Sequence, residues 1–110
     1  MRDERLFLDD ILLAAREIAD FMSAITLADF ASDKKLQYAI LNRLTAIGEA
    51  VKNLSADTKT RMPEIDRKGF AGIRDLIAHQ YFSLELELVW VTANDDVPAL
   101  AVQVRKFLEK

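Results

Sequence analysis

From residue 3 to about residue 25, apolar side chains fall at Leu8, Ile11, Leu12, Ala15, Ile18, Ala19, Met22 and Ile25. This is the i, i+3, i+4, i+7 stripe of an amphipathic helix. Residues 26–32 break the pattern. Ser32 or Asp33 then offers an N-cap for a second helix carrying Leu36, Ile40, Leu44, Ile47, Val51 and Leu54. Two helices of this length joined by a short connection predict an antiparallel pair at the heart of a bundle. The polar stretch that follows contains Pro63 and reads as a helical turn over residues 56–61 and then a loop. Asp66 caps a third helix over residues 67–80, with Phe70, Ile73 and Ile77 inward, and Ser83 caps a fourth over residues 84 to about 94. Pro98, after Asp95 and Asp96, marks the first turn of a final helix through Ala101, Val104 and Leu108. Leu84, Leu86 and Leu88 alternate with glutamates as a strand would, but no partner strand exists and Leu and Glu favour helix.

Composition supports the pattern. The 110 residues include 15 alanines and 15 leucines but only 3 glycines and 2 prolines, which predicts a single all-α domain, a four- to five-helix up-and-down bundle over residues 1–110. With no cysteine and one histidine, thiol catalysis, disulfides and Cys- or His-rich metal centres are excluded within one chain. We therefore expect neither metal nor cofactor. The net charge of −3 argues against coating nucleic acid by bulk electrostatics, so a basic site must be local. The opening MRDERLFLDD mixes charges of both signs, and no later run is long and apolar enough for a membrane span. Neither a secretory signal nor a membrane association is expected, and the reducing cytoplasm is the simplest compartment.

The chemistry concentrates between Gly72 and Phe82, where Arg74, Asp75, His79 and Tyr81 stand within eight positions. Imidazole exchanges protons near neutral pH and a guanidinium grips phosphate as a fork, a combination suited to phosphodiester chemistry. Asp75 and His79 are about 40° apart on a helix, so the carboxylate is placed to orient and charge the imidazole. Arg74 and His79 are about 140° apart, and a straight helix cannot aim both at one phosphate. Either the helix ends near His79 or a second copy of the chain completes the site.

Arg74, four residues, His79, one residue, Tyr81 resembles the Arg-x4-His-x-Tyr signature of the HepT-like group of HEPN-domain toxins. The likeness runs along most of the chain, through Leu8-Asp9-Asp10-Ile11-Leu12, Asn42-Arg43-Leu44, Ile47-Gly48-Glu49-Ala50, Pro63-Glu64-Ile65, Ala71-Gly72-Ile73-Arg74-Asp75, Leu88-Val89-Trp90 and Asp96-Val97-Pro98. Two positions depart from the group: Asp75 stands where Asn is frequent, and Asp66-Arg67-Lys68 occupies the region of a common Trp. The resemblance implies a dimerising HEPN-like bundle that cleaves RNA without a metal, tRNA being one candidate substrate, with Arg74 and His79 catalytic, Asp75 supporting, and the site composed across the dimer. It also implies an MntA-like minimal nucleotidyltransferase antitoxin that attaches AMP to Tyr81. A bulky anion two residues from His79 would then compete with RNA phosphate for Arg74.

Arg43 and Glu49 match positions of the group and are candidates for the cleft or for an ion pair. Lys52, Arg61, Arg67 and Lys68 are candidates for a basic rim, and Gly48 for close helix approach. Trp90 reads as core or dimer interface. The rival reading, favoured by the net acidity, is a non-catalytic helical subunit that docks a nucleotidyltransferase and is its modification substrate.

Overall fold

A computed structural model describes residues 3–80 and 83–109. Among them every regular element is helical: α1 (Glu4–Met22), α2 (Leu27–Ser32), α3 (Lys34–Asn53), α4 (Ala56–Arg61), α5 (Arg67–Gln80), α6 (Leu86–Val91), a π-helical turn (Thr92–Asp96) and α7 (Val97–Leu108). None of the helices is long and apolar enough to cross a membrane.

The apolar stripe of α1 buries Leu8, Ile11, Ala15, Ile18 and Met22. The helix stops at Met22 rather than near Ile25 because Ala24 turns left-handed, at φ 59°. For an L-residue that conformation costs about 1–2 kcal/mol, and it ends the run of helical hydrogen bonds. The broken segment at residues 26–32 is itself a helix, α2. Thr26 accepts from the Asp29 backbone N–H, Asp29 accepts in return from the Thr26 N–H, and the fully buried Phe30 anchors the turn. The Thr26 backbone N–H, and after it the Thr26 side chain, hold the Asp29 carboxyl below its ordinary pKa. Asp33, not Ser32, caps α3 by accepting from the Leu36 N–H.

α1 and α3 pack antiparallel as the central pair. Glu4, at the start of α1, accepts from the backbone of Ser55 just past the end of α3, and Glu17 meets Arg43 midway. α5 packs on α3, and α7 packs on the other side of α1. The buried side chains of these elements, with Ile11, Ile40, Leu44, Ile47 and Val104 wholly enclosed, make one continuous core.

The C-terminal third departs from two separately capped helices. Ser83 caps nothing downstream; its hydroxyl donates back to the Gln80 carbonyl, and α6 begins at Leu86 after an uncapped Glu85. No break occurs at Asp95-Asp96. The π turn joins α6 to α7 in one continuous helix, the Val97 N–H reaching back five residues to the Thr92 carbonyl. Pro98 still sits in the first turn of α7, where its missing N–H is tolerated inside the widened turn.

Candidate active site

Arg74 lies where α5 comes closest to α3. Gly48 makes that approach possible: a Cβ there would collide with the Cβ of Arg74 and stand 2.8 Å from the Phe70 carbonyl oxygen. The arginine stem therefore lies flat over α3. Its Nη2 donates to Glu49 Oε1 at 3.2 Å and its Nη1 to Asp75 Oδ1 at 3.3 Å. The Lys52 ammonium sits 3.7 Å from the same Asp75 oxygen. Arg74 Nε is buried without a partner. Hydrogen bonds donated to Glu49 and then to Asp75 raise the guanidinium pKa above its already high value, so it stays charged at every working pH. These pairs are largely exposed and contribute little to stability. Their effect is to fix the direction of the guanidinium.

His79 occupies the last turn of α5, exposed, with no hydrogen bond or ion pair among the described residues. Asp75 does not orient it. The carboxylate faces Arg74 and Lys52 instead, because α3 brings a second cation to that side. Arg74 and His79 thus stay apart, the first in the seam between two helices, the second pointing away from the core. Tyr81 lies outside the described residues.

Arg43 belongs to another face of α3, about 120° from Glu49. Its Nη1 donates to Glu17 at 3.0 Å and it also donates to Asn42, tying α3 to α1. Arg61 is likewise drawn off: it pairs with Asp57 and lays its guanidinium 4.8 Å over the Phe107 ring, clamping α4 to α7. Trp90 is half-buried against Phe30, ring centroids 5.9 Å apart. Lys59, which the sequence pattern does not single out, lines a groove with Lys52, Arg67 and Lys68.

The two sides of α5 differ in sign. Facing α7 is a second groove of about 520 Å³ with an apolar floor that includes Ile73, Leu76, Leu88 and Leu100 and a rim on which Glu64, Asp66 and Asp96 outnumber Lys68. Burial, then the charges of Asp95 and Asp66, push the Asp96 carboxyl above its ordinary pKa. Among the described residues no group of three His, Cys, Asp or Glu side chains is placed to hold a metal ion.

The protein is thus a small all-α bundle that displays an arginine and a histidine five positions apart on one helix. The family described as Ribonuclease HepT-like matches residues 11–107, and the chain belongs to that family. A Methanocaldococcus jannaschii protein named "Putative RNase" is 41% identical over 97 residues, covering 88% of this chain and 80% of its own. The Thermococcus cleftensis protein named "Probable ribonuclease HepT" is 37% identical over 105 residues, 96% of each chain. A Caldanaerobacter subterraneus protein, also named "Putative RNase", is 33% identical over 110 residues, covering all of this chain and 98% of its own. No solved structure matches.

Proposed function

We propose that the protein is a metal-independent endoribonuclease, the toxin of a toxin-antitoxin pair, whose active site forms between two copies of the chain. The observation that carries this reading is the contrast on α5 between a fixed Arg74 and an exposed His79 whose imidazole has no partner among the described residues, in a chain of the HepT-like ribonuclease family. In the reaction, one imidazole takes the proton of a ribose 2′-hydroxyl as its oxygen attacks the adjacent phosphorus. The 5′-oxygen leaves with a proton from the imidazole of the second copy, and Arg74 neutralises charge on the phosphorane-like transition state. The 2′-hydroxyl requirement selects RNA over DNA.

Gly72 supports the second copy. It lies about 20° from His79 around α5, seven residues earlier. A Cβ at Gly72 would meet nothing within 4 Å. A glycine inside a helix costs roughly 1 kcal/mol against alanine, and no neighbour among the described residues explains it. A close partner on that face does. Gly72→Leu is expected to turn a dimer into a monomer in light scattering; a variant that stays dimeric removes Gly72 from the interface.

The decisive assay incubates protein freed of its partner and of any AMP with total RNA and a chelator. Cleavage is expected, and an inert protein sinks the catalytic reading. The rival, a non-catalytic subunit that docks a nucleotidyltransferase, draws on a specific feature: Glu49 and Asp75 already occupy Arg74, and a substrate phosphate must displace them. In either case we place AMP on Tyr81 when the protein is co-expressed with its nucleotidyltransferase. Mass spectrometry that maps the adduct to Tyr38 overturns that assignment.

A further inference from the structure

We propose that the cationic groove beside Arg74 is a track for single-stranded RNA, holding backbone phosphates next to the one cleaved; this rests on the ribonuclease reading above. The groove, about 550 Å³, lies between the end of α3, α4 and the start of α5. Lys52, Lys59, Arg67 and Lys68 surround a floor that includes Val51 and Ala71. Asp66 is the one carboxylate among the residues that line it, and one of its oxygens is already engaged by the Gly69 N–H. In a chain of net charge −3, four cations around one depression invert the local sign.

The cations are arranged for an outside anion. Arg67 and Lys68 form no ion pair among the described residues. The Lys59 ammonium donates to the Lys52 carbonyl at 3.2 Å, which pins it at the groove wall while its charge stays uncompensated. Lys52 reaches Asp75 and so joins the groove to the Arg74 network. Arg67, Ala71 and Arg74 follow one another along a single flank of α5, the two arginines about 20° and roughly 10 Å apart. A strand whose scissile phosphate meets Arg74 therefore continues over Ala71 to Arg67. The opposite flank, where Glu64, Asp66 and Asp96 outnumber Lys68, is net negative and disfavours the same backbone there. Among the described residues no side chain lining the cationic groove is aromatic, so these residues grip phosphates rather than stack bases and contribute affinity without sequence preference.

The test uses full-length protein carrying His79→Ala to prevent turnover, and measures anisotropy of a labelled single-stranded RNA of about 12 nucleotides across a salt series. Adding Arg67→Glu and Lys68→Glu is expected to weaken binding about tenfold or more at 0.1 M salt. The slope of log K against log salt should fall by roughly 1.4, about 0.7 for each lost phosphate contact. Lys34→Glu with Lys35→Glu, at the end of α3 opposite Lys52, should leave both values unchanged. Equal affinity and slope in the groove variant, with cleavage by the parent intact, overturns the groove and leaves the ribonuclease reading standing. Groove-dependent binding by a protein that cuts no RNA sinks that reading and keeps the groove. A parent that binds no RNA overturns both. Competition by ATP as effective as by RNA at equal phosphate concentration makes this a nucleotide site and overturns the RNA assignment.

Discussion

His79→Ala is expected to lower RNA cleavage by about 10²- to 10⁴-fold, the usual contribution of a positioned general acid or base. The fold should not notice. The imidazole is exposed and makes no hydrogen bond or ion pair among the described residues, so stability should stay within about 0.5 kcal/mol of the parent. Arg74→Ala should cost about 10²- to 10³-fold through lost stabilisation of the transition-state charge. Arg74→Lys should not rescue it, because an ammonium keeps the charge without the fork that Glu49 and Asp75 hold in place. The readout is the initial rate on one RNA at equal protein concentration, with melting curves recorded in parallel. Parent-like rates in both variants would trace the cleavage to a contaminant and remove Arg74 and His79 from catalysis.

The second large effect is expected at a residue that touches no substrate. Gly48→Val places a branched side chain where even a Cβ collides with the Cβ of Arg74 and crowds the Phe70 carbonyl. Neither obstacle is the free end of a flexible side chain, so α3 and α5 must separate. Overpacking of this kind costs about 3 kcal/mol, which for a domain of this size lowers the melting temperature by about 10 °C or more. Gly72→Ala, 24 positions later in the sequence and facing open space within the chain, should do the opposite in the monomeric protein, gaining roughly 0.5–1 kcal/mol from reduced helix-glycine entropy. Thermal melts of the two variants separate a glycine needed for packing inside the chain from one that the isolated chain does not need. If Gly48→Val melts like the parent, the seam is not rigid and Arg74 is not held by it.

The sequence pattern reveals α1, α3 and α5 because each lays a long apolar stripe on the core, and it reveals the caps at Asp33 and Asp66 because a short polar side chain stands immediately before that stripe. It hides α2, since six residues cannot show a period; only the Thr26 and Asp29 pairing betrays it. It also hides the continuity of the last helix, because Asp95, Asp96 and Pro98 look like a start in any reading that assumes 3.6 residues per turn. For the site, the chemistry of Arg74 and His79 is visible in their types and spacing. The partner of Asp75 is not. An i, i+4 argument points it at His79, whereas Lys52 from another helix and the neighbouring Arg74 take it. Arg61 and Lys59 exchange roles for a similar reason: Phe107, 46 positions later in the chain, captures the first and leaves the groove to the second.

The π turn sets the phase between the two ends of the last helix. Val89 and Val97 are both buried, and two successive steps of four would drift about 80° around an ordinary α-helix. The widened turn at Thr92–Asp96 absorbs the drift, so α6 can face α2 while α7 faces α1. Loss of one residue there would restore ordinary hydrogen bonding yet swing α6 by about 100°, carrying Val89 out of the core. The number of residues in the turn therefore matters more than their identity: exchanges that keep its length are expected to be tolerated better than a deletion.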